Sequence, residues 1–253
     1  MNKGRLTTAI EIQDLTISYG GQPVIWDLDL TINAGSLAAV AGPNGAGKSS
    51  LFRAIIGSLK PIAGSVKIFG HPFQFQRNVI GYVPQRSEID WNFPIDVLDV
   101  VLMGTYGKLG WFKRPGRKEL DSAMISLEKV GMEEFVKRQI GELSGGQQQR
   151  VFLARALAQE AEIYLMDEPF QGVDASSEKA IINILKMLQE SGKTVIVIHH
   201  DLQTVVEFFD EAVLLNVRLI EHGKARDVIN DKNIKLAFGG KISFTHPATT
   251  PHF

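Results

Sequence analysis

The chain of 253 residues is 44% hydrophobic and 22% charged, with a formal net charge of −1. This composition is typical of a globular α/β protein, and its charge balance argues against a general nucleic-acid binder, which is usually basic. The sequence has no apolar run near the roughly 18 residues of a membrane span, no signal-peptide pattern at its start and no cysteine. These features favour a cytoplasmic location.

Predicted strands and helices alternate along the chain, which indicates an α/β fold with a largely parallel sheet. Hydrophobic patterning predicts strands at 10–19, 28–32, 37–41, 64–69, 79–83, 163–166 and 195–198. The last two runs are continuously apolar, as is typical of strands buried on both faces, and an amphipathic helix is predicted between them at 176–189. The chain is weakly patterned from Ile229 onward, and we interpret residues 241–253 as a C-terminal tail.

A helical segment interrupts the strand pattern after residue 85. Apolar residues recur at helical spacing over 97–131, in two groups divided by a loop of mixed charge at 113–117. The members of these groups are Val97, Val100 and Val101, then Leu120, Met124, Leu127 and Val130. We predict a helical subdomain containing these two helices at about 89–160, inserted into a domain that spans residues 9–240.

The most informative motif is a complete G-x-x-x-x-G-K-[ST] loop that begins at Gly42, directly after the strand at 37–41. Its glycines let the backbone curl so that successive N–H groups point at the β-phosphate of a nucleotide. Lys48 would reach the β- and γ-phosphate oxygens, and the Ser49 hydroxyl would ligate Mg²⁺. The helix that starts near Lys48 adds the positive end of its dipole. We therefore predict a nucleoside triphosphate site formed by Gly42, Pro43, Asn44, Gly45, Ala46, Gly47, Lys48, Ser49 and Ser50.

Two acidic residues, Asp167 and Glu168, follow the predicted strand at 163–166. The carboxyl end of a strand beside a phosphate loop is where Mg²⁺ needs a carboxylate, here Asp167. Glu168 would orient or deprotonate the attacking water. Such an acidic pair alone is common in solvated turns, but in combination with the phosphate loop it indicates nucleotide hydrolysis.

A second glycine motif, Leu-Ser-Gly-Gly-Gln at 143–147, precedes a helical run at 151–158. Its glycines allow close approach to an anion, Ser144 offers a hydroxyl donor, and the following helix aims its N-terminal dipole the same way. The chain thus carries two phosphate-binding surfaces, although a single nucleotide does not need both. This suggests that the second surface completes the site of another copy of the chain.

The motif at 143–147 resembles the signature motif of ABC-type ATPases, and in them it also lies between the phosphate loop and the Asp-Glu pair. The resemblance covers about residues 9–240. It implies a P-loop NTPase (RecA-like) core with an antiparallel β subdomain and an inserted α-helical subdomain, and it implies ATP and Mg²⁺ as cofactors. It also implies that Ser144, Gly145, Gly146 and Gln147 of one copy meet the γ-phosphate held by Lys48 of the other.

Other residues match the family's motifs in position. The resemblance implies that Tyr19 stacks on adenine and that Gln85 contacts Mg²⁺ and the attacking water. It also implies that Asp174 belongs to a loop that reaches across the dimer and that His200 contacts the γ-phosphate. Taken alone, Tyr19 would more often be a packed aromatic, and Gln85 carries no signal of its own.

His199 and His200 are adjacent, but they are not expected to form a metal pair, because neighbouring residues on a strand point to opposite faces. We assign His200 to the γ-phosphate and His199 to packing or local hydrogen bonding. The family often has Thr at Ser50, Ser or Thr at His199 and Thr at Phe170. None of these departures removes a phosphate, Mg²⁺ or water contact, so full ATPase competence is expected.

The resemblance also implies partners. Two ATPase subunits would close head to tail as a homodimer, and each would bind an integral membrane permease as a peripheral protein on the cytoplasmic face of the inner (plasma) membrane. A short permease helix would dock between the sheet core and the helical insert. Four aromatic residues after Gln85 either line that groove or form the insert's own core: Trp91, Phe93, Trp111 and Phe112.

The segments 84–94, 167–174 and 199–205 look most like the ATPases of bacterial manganese, zinc and iron importers, which also use an extracytoplasmic metal-binding protein. Manganese is our first choice of substrate and zinc the second, and an importer of another substrate such as chelated iron is the alternative. A non-transport ABC ATPase acting on DNA ends is disfavoured, because only 58 residues separate Gln85 from Ser144 and they contain no heptads. No nucleic-acid partner is expected.

Overall fold

Two β-sheets organise the fold in the computed structural model, which describes residues 8–109 and 113–239. The first sheet is antiparallel, with the strand order β2-β1-β4-β5. Its strands are β1 (Thr8–Tyr19), β2 (Gln22–Asn33), β4 (Ala63–Ile68) and β5 (His71–Pro72). The predicted antiparallel β subdomain is therefore confirmed.

The second sheet has six strands in the order β10-β9-β3-β8-β7-β6, and all neighbours are parallel except the β9–β10 hairpin. Its strands are β3 (Leu37–Ala41), β6 (Ile80–Val83), β7 (Ile163–Asp167), β8 (Thr194–Ile198), β9 (Glu211–Asn216) and β10 (Arg218–Lys224). Every residue of β3, β7 and β8 is buried, as their continuous apolar runs predicted. Since parallel strands share their direction, the carboxyl ends of β3, β6, β7 and β8 lie along one edge.

The parallel sheet separates two hydrophobic cores. Successive side chains of a strand point to opposite faces, so Ala39 of β3 lies in one core and Val40 in the other. The core around Val40 also contains the apolar side chains of the antiparallel sheet and those of α1 (Lys48–Ile55). The core around Ala39 contains α5 (Gly145–Ala158) and α6 (Ala175–Glu190). The sheet is thus covered on both faces, and its carboxyl edge carries the loops.

Four helices lie between β6 and β7 in the chain, where the helical insert was predicted. They are α2 (Val97–Leu102), α3 (Tyr106–Leu109), α4 (Arg117–Lys129) and α5. The first predicted helix is shorter than its pattern suggested, because a 3₁₀ turn at Met103–Thr105 separates α2 from α3. A Cβ at Gly104 would overlap the carbonyl oxygen of Arg155, so α5 passes directly against this turn. The boundaries 9–240 and 89–160 remain predictions.

The segment from Ile229 onward was interpreted as weakly patterned, which was wrong in part. It contains the helix α9 (Asp231–Phe238), which follows α8 (Ala225–Val228). The Asn230 side chain caps α9 by accepting a 3.0 Å hydrogen bond from the Asn233 N–H. The strands β9 and β10 and the helix α7 (Leu202–Phe208) were also missed. The predicted tail at 241–253 lies outside the described residues. Across 8–109 and 113–239, each helix is too short or too polar to cross a membrane.

Candidate functional site

The phosphate loop occupies the turn between β3 and α1, at the carboxyl edge of the parallel sheet. Gly42, Gly45 and Gly47 have φ angles of 151°, 80° and 97°, a region that disfavours residues with a side chain. Space is also limiting, since a Cβ at Gly42 would overlap the carbonyl oxygen of Leu215 and one at Gly47 would overlap that of Val24. The loop is therefore fixed between β2 and β9 in the curled form that phosphate binding needs.

Lys48 folds back over this loop. Its Nζ donates 2.9 Å hydrogen bonds to the carbonyl oxygens of Gly42 and Pro43, and only 7% of the residue is exposed. Burial lowers the pKa of Lys48, while the negative charges of Glu168 and Asp167 raise it. These hydrogen bonds hold the Lys48 ammonium group over the loop. Phosphate oxygens would compete with the two carbonyl oxygens for it.

Asp167 lies at the end of β7 and is 1% exposed. Among the described residues, neither carboxylate oxygen has a hydrogen-bond partner. Burial raises the pKa of Asp167 and the charge of Glu168 adds to this shift, while the Ser49 hydroxyl and the charge of Lys48 only oppose it. A buried carboxylate is costly unless a cation compensates it. Asp167 and Ser49 therefore present the oxygen ligands that fit Mg²⁺.

Glu168 and Gln85 meet beside this pair although they come from different strands. Gln85 Nε2 donates a 2.9 Å hydrogen bond to Oε2 of Glu168. Glu168 itself has a φ of 50° and its N–H donates to the carbonyl oxygen of Ile198. Together with the phosphate loop these side chains enclose a cleft of 430 Å³ that is lined by Val24, Asn44, Gly45, Ala46, Gly47, Lys48, Ser49, Ser50, Gln85, Glu168 and Gln171.

The second glycine motif lies at the N-terminus of α5. Ser144 caps this helix in a capping box, because its Oγ accepts from the Gln147 N–H and the Gln147 Oε1 accepts from the Ser144 N–H at 2.9 Å. A Cβ at Gly146 would overlap the Ser177 hydroxyl, so the motif packs against the start of α6. The motif is not part of the cleft lining described above.

Asp174 caps α6 at the same place. One carboxylate oxygen accepts 2.9 Å hydrogen bonds from the N–H groups of Ser176 and Ser177, and the hydrogen bonds of these serines hold the pKa of Asp174 well below its usual range. Ser144 and Asp174 are both exposed. The two helix caps thus form one surface, which is distinct from the nucleotide cleft.

The expectation that His199 and His200 point to opposite faces of a strand was wrong, because β8 ends at Ile198 and the two rings lie 5.5 Å apart between centroids. His199 is 2% exposed, and its ring lies 4.8 Å from the Phe170 ring and 6.2 Å from the Phe209 ring, measured between centroids. Burial lowers the pKa of His199 to about 4, so the ring is neutral, in agreement with a packing role. His200 is exposed, as is 46% of Tyr19 at the end of β1.

Residues 25–171 match the family model described as ABC transporter, which covers more than half of the chain. The chain belongs to the ABC transporter family. It is 55% identical over 237 residues to the zinc transport system ATP-binding protein TroB of Treponema pallidum, covering 94% of this chain and 89% of that protein. It is 49% identical over 235 residues to the manganese transport system ATP-binding protein MntB of Bacillus subtilis, covering 93% and 94%. The chain is therefore an ABC ATPase.

Solved structures agree with this assignment. An ABC transporter described as metal-chelate type, in an inward-facing conformation, matches with a TM-score of 0.83 and 29% identity over 92% of this chain and 90% of that one. A dimeric ATP-binding cassette with bound ADP and phosphate, in a post-hydrolysis state, matches with a TM-score of 0.75 and 28% identity over 86% and 99%. The predicted P-loop NTPase fold is confirmed.

The four aromatic residues of this ABC ATPase do not share one environment. The Trp91 ring packs edge to face on Phe152 of α5 at 5.2 Å, so Trp91 belongs to the core of the insert. Phe93 is 56% exposed and remains available to a partner. Trp111 and Phe112 lie outside the described residues. The core interpretation therefore holds for Trp91, and a role of Phe93 in a permease groove stays a prediction.

Several residues at the site were missed from the sequence. Val24 and Gln171 line the cleft, and Val217 holds the phosphate loop, since its N–H donates a 3.0 Å hydrogen bond to the Ala46 carbonyl oxygen. Val217 does so with a φ of 61°, which a β-branched residue rarely adopts. Gln171 lies within the segment 167–174 that was already singled out. Val24 and Val217 carry no local signal, because the sheet pairing brings them to the loop.

Proposed function

We propose that this ABC ATPase powers the import of a divalent metal ion, manganese first and zinc second, through a separate membrane permease. The observation that carries the proposal is the high identity, over more than nine-tenths of the chain, to relatives named as zinc and manganese transport ATP-binding proteins. Selectivity would belong to the permease and to an extracytoplasmic metal-binding protein. The chain would act at the cytoplasmic face of the inner membrane, without a nucleic-acid partner.

In this proposal, the nucleotide cleft binds ATP with Tyr19 against adenine and the N–H groups of the phosphate loop against the phosphates. Lys48 exchanges its two carbonyl partners for β- and γ-phosphate oxygens. Mg²⁺ is held by Ser49, Asp167 and Gln85. The buried Asp167 carboxylate supports this assignment, because it has no hydrogen-bond partner among the described residues. When bound, Mg²⁺ neutralises charge on the β- and γ-phosphate oxygens.

Glu168 acts as the general base in the proposed reaction. One of its carboxylate oxygens is engaged by Gln85, which fixes the orientation of the group. The other accepts no hydrogen bond from the described residues and can accept a proton from water. His200, which follows the neighbouring strand β8, contacts the γ-phosphate. A base and a phosphate ligand that follow adjacent parallel strands would sit on the same side of the triphosphate.

The catalytic unit in this proposal is a homodimer. Ser144, Gly145, Gly146 and Gln147 of one copy close on the γ-phosphate in the cleft of the other, with Asp174 beside them. Two features support this arrangement: the surface of the helix caps is separate from the cleft lining, and a similar cassette has been solved as a dimer.

Mixing two inactive variants tests the dimer. A Ser144→Arg copy should bind ATP but fail to hydrolyse it, because the added cation blocks closure. A Lys48→Ala copy should not bind ATP. Mixed dimers then contain one competent site, made by the intact loop of the first copy and the intact signature of the second, so ATPase activity should reappear. If Ser144→Arg abolishes ATP binding by a monomer, both surfaces belong to one site and the head-to-tail architecture is wrong.

Uptake assays test the substrate. Cells that express the chain with the permease subunits that co-purify with it should accumulate radiolabelled manganese, with zinc competing, and the Glu168→Gln variant should abolish accumulation while assembling normally. Uptake of a chelated iron complex without manganese uptake would select the alternative importer. Normal metal uptake with the Glu168→Gln variant would separate this ATPase from transport altogether.

A further inference from the structure

We propose that Arg86 is a positioning residue that connects the Gln85 loop to the signature motif at 143–147 of the same chain. The proposal rests on the head-to-tail dimer described above and deepens it. Arg86 would link the nucleotide bound in the cleft of one chain to the signature motif of that same chain, which faces the partner copy. One guanidinium group makes the contacts that form this connection.

The Arg86 side chain reaches two separate segments. Its Nη2 donates a 3.0 Å hydrogen bond to Oε1 of Gln148, a buried residue in the first turn of α5. A Cβ at Gly145 would lie 2.7 Å from Nη1 of Arg86, and one at Gly172 would lie 3.2 Å from the same atom. The guanidinium therefore lies between the signature helix and the loop that leads to Asp174.

Trp91 holds Arg86 in this place. The indole Nε1 donates a 2.9 Å hydrogen bond to the carbonyl oxygen of Arg86, and the guanidinium carbon lies 5.6 Å from the centre of the indole ring. The same indole packs on Phe152 of α5. Both ends of Arg86, backbone and side chain, are thus connected to the helix that carries the signature motif.

Electrostatics also points to a positioning role. The N-terminus of α5 is the positive end of a helix dipole, so a cation beside Gly145 is unfavourable on charge alone. The planar fork of donors in Arg86 suits the Gln148 amide oxygen and the indole face, so shape as well as charge accounts for its contacts.

The connection is short. Gln85 bonds Glu168 in the cleft, and the next residue bonds the signature helix. A shift of the Gln85 loop on binding of ATP would therefore move α5 with it, and it would present Ser144 to the partner in the orientation that closure needs. Losing Arg86 should leave ATP binding in the cleft intact and weaken closure.

A test separates these two steps in the Glu168→Gln background, where bound ATP is not consumed. Adding Arg86→Met should leave the affinity of the monomer for ATP unchanged by calorimetry. ATP-dependent dimerisation, followed by sedimentation, should weaken by roughly tenfold. The matched control is Arg138→Met, since the Arg138 guanidinium also stacks on an aromatic ring of the insert, 4.9 Å from the centre of the Phe135 ring. This control should dimerise as the parent does.

Two further measurements exclude a general loss of structure. Arg86→Lys keeps the charge without the planar fork and should therefore remain weak in dimerisation. In a Trp26→Phe, Trp111→Phe background, Trp91 is the single tryptophan, and its fluorescence should change on addition of ATP with Arg86 present but not with Arg86→Met. Unchanged dimerisation of Arg86→Met, full recovery by Arg86→Lys, or an equal loss of ATP affinity would each overturn the proposal. Failure of the parent Glu168→Gln chain to dimerise with ATP would instead refute the dimer.

Discussion

Gln85 donates a 2.9 Å hydrogen bond to Glu168 across the carboxyl edge of the sheet. The two residues are 83 positions apart in the chain, and they meet because β6 and β7 are parallel neighbours whose ends are in register at Val83 and Met166. The bond orients a carboxylate next to Lys48, at the mouth of the cleft. A glutamate held in this way is suited to accept a proton from a water molecule that attacks a bound phosphate.

Replacing Glu168 by Gln should lower ATP hydrolysis by about two orders of magnitude or more, because a positioned general base is lost. ATP affinity should change little, since the amide keeps the size of the side chain. Single-turnover hydrolysis and calorimetry measure the two effects. His200→Ala is the informative comparison: near-normal turnover in Glu168→Gln together with a large loss in His200→Ala would assign the base to the histidine.

Replacing Lys48 by Ala should abolish measurable ATP binding. The change removes the ammonium group that the loop holds against the Gly42 and Pro43 carbonyl oxygens, and the triphosphate charge is then poorly compensated. Calorimetric titration with ATP measures this loss. The control is Lys193→Ala, which removes a lysine paired with Glu162 on the surface. Equal ATP affinity in the two variants would place the nucleotide elsewhere.

Replacing Asp167 by Asn should have opposite effects on stability and activity. The substitution removes a buried charge with no hydrogen-bond partner among the described residues, so the nucleotide-free protein should unfold at a higher temperature. The same change should weaken Mg²⁺ binding and lower Mg²⁺-supported ATP hydrolysis, since a carboxylate ligand is lost. Thermal melting of the nucleotide-free protein measures the first effect, and ATPase assays over a series of Mg²⁺ concentrations measure the second. A lower melting temperature in the nucleotide-free state would show that the carboxylate is compensated.

Much of this site could be predicted because its signals are local. The phosphate loop is a contiguous motif, and Asp167 and Glu168 stand at the end of a continuously apolar run. Arg86 could not be identified, since its partner Gln148 lies 62 positions away and only the folded insert brings them together. The helix α9 was missed because it has eight residues, too few for a clear periodic pattern, and it is held by packing and by a bond from the Asn216 side chain to the Ala237 carbonyl oxygen.

Replacing Val217 by Gly should stabilise the protein by up to about 1 kcal/mol. The left-handed conformation costs a residue with a side chain about 1–2 kcal/mol, and the greater freedom of glycine in the unfolded chain cancels part of the gain. The mirror control is Gly239→Ala, because Gly239 has a similar φ of 66° and no atom of the described residues lies within 4 Å of the Cβ that alanine would add. That variant should be destabilised by about the same amount. Chemical denaturation measures both, and a destabilised Val217→Gly would mean that the valine side chain contributes more by packing than its backbone costs.

The buried ring of His199 should make stability depend on pH. Burial lowers its pKa from the ordinary 6.5 to about 4 in the folded protein, so between these values the unfolded chain binds more protons. Stability should therefore fall as the pH drops from 6.5 towards 4, by roughly 3 kcal/mol in total, and this contribution should be fully present above pH 6.5. His199→Leu should remove this part of the pH dependence, while His71→Asn, which changes an exposed histidine, should keep it. Denaturation at a series of pH values measures the slopes, and equal slopes in the parent and His199→Leu would show that the ring is protonated in the folded state.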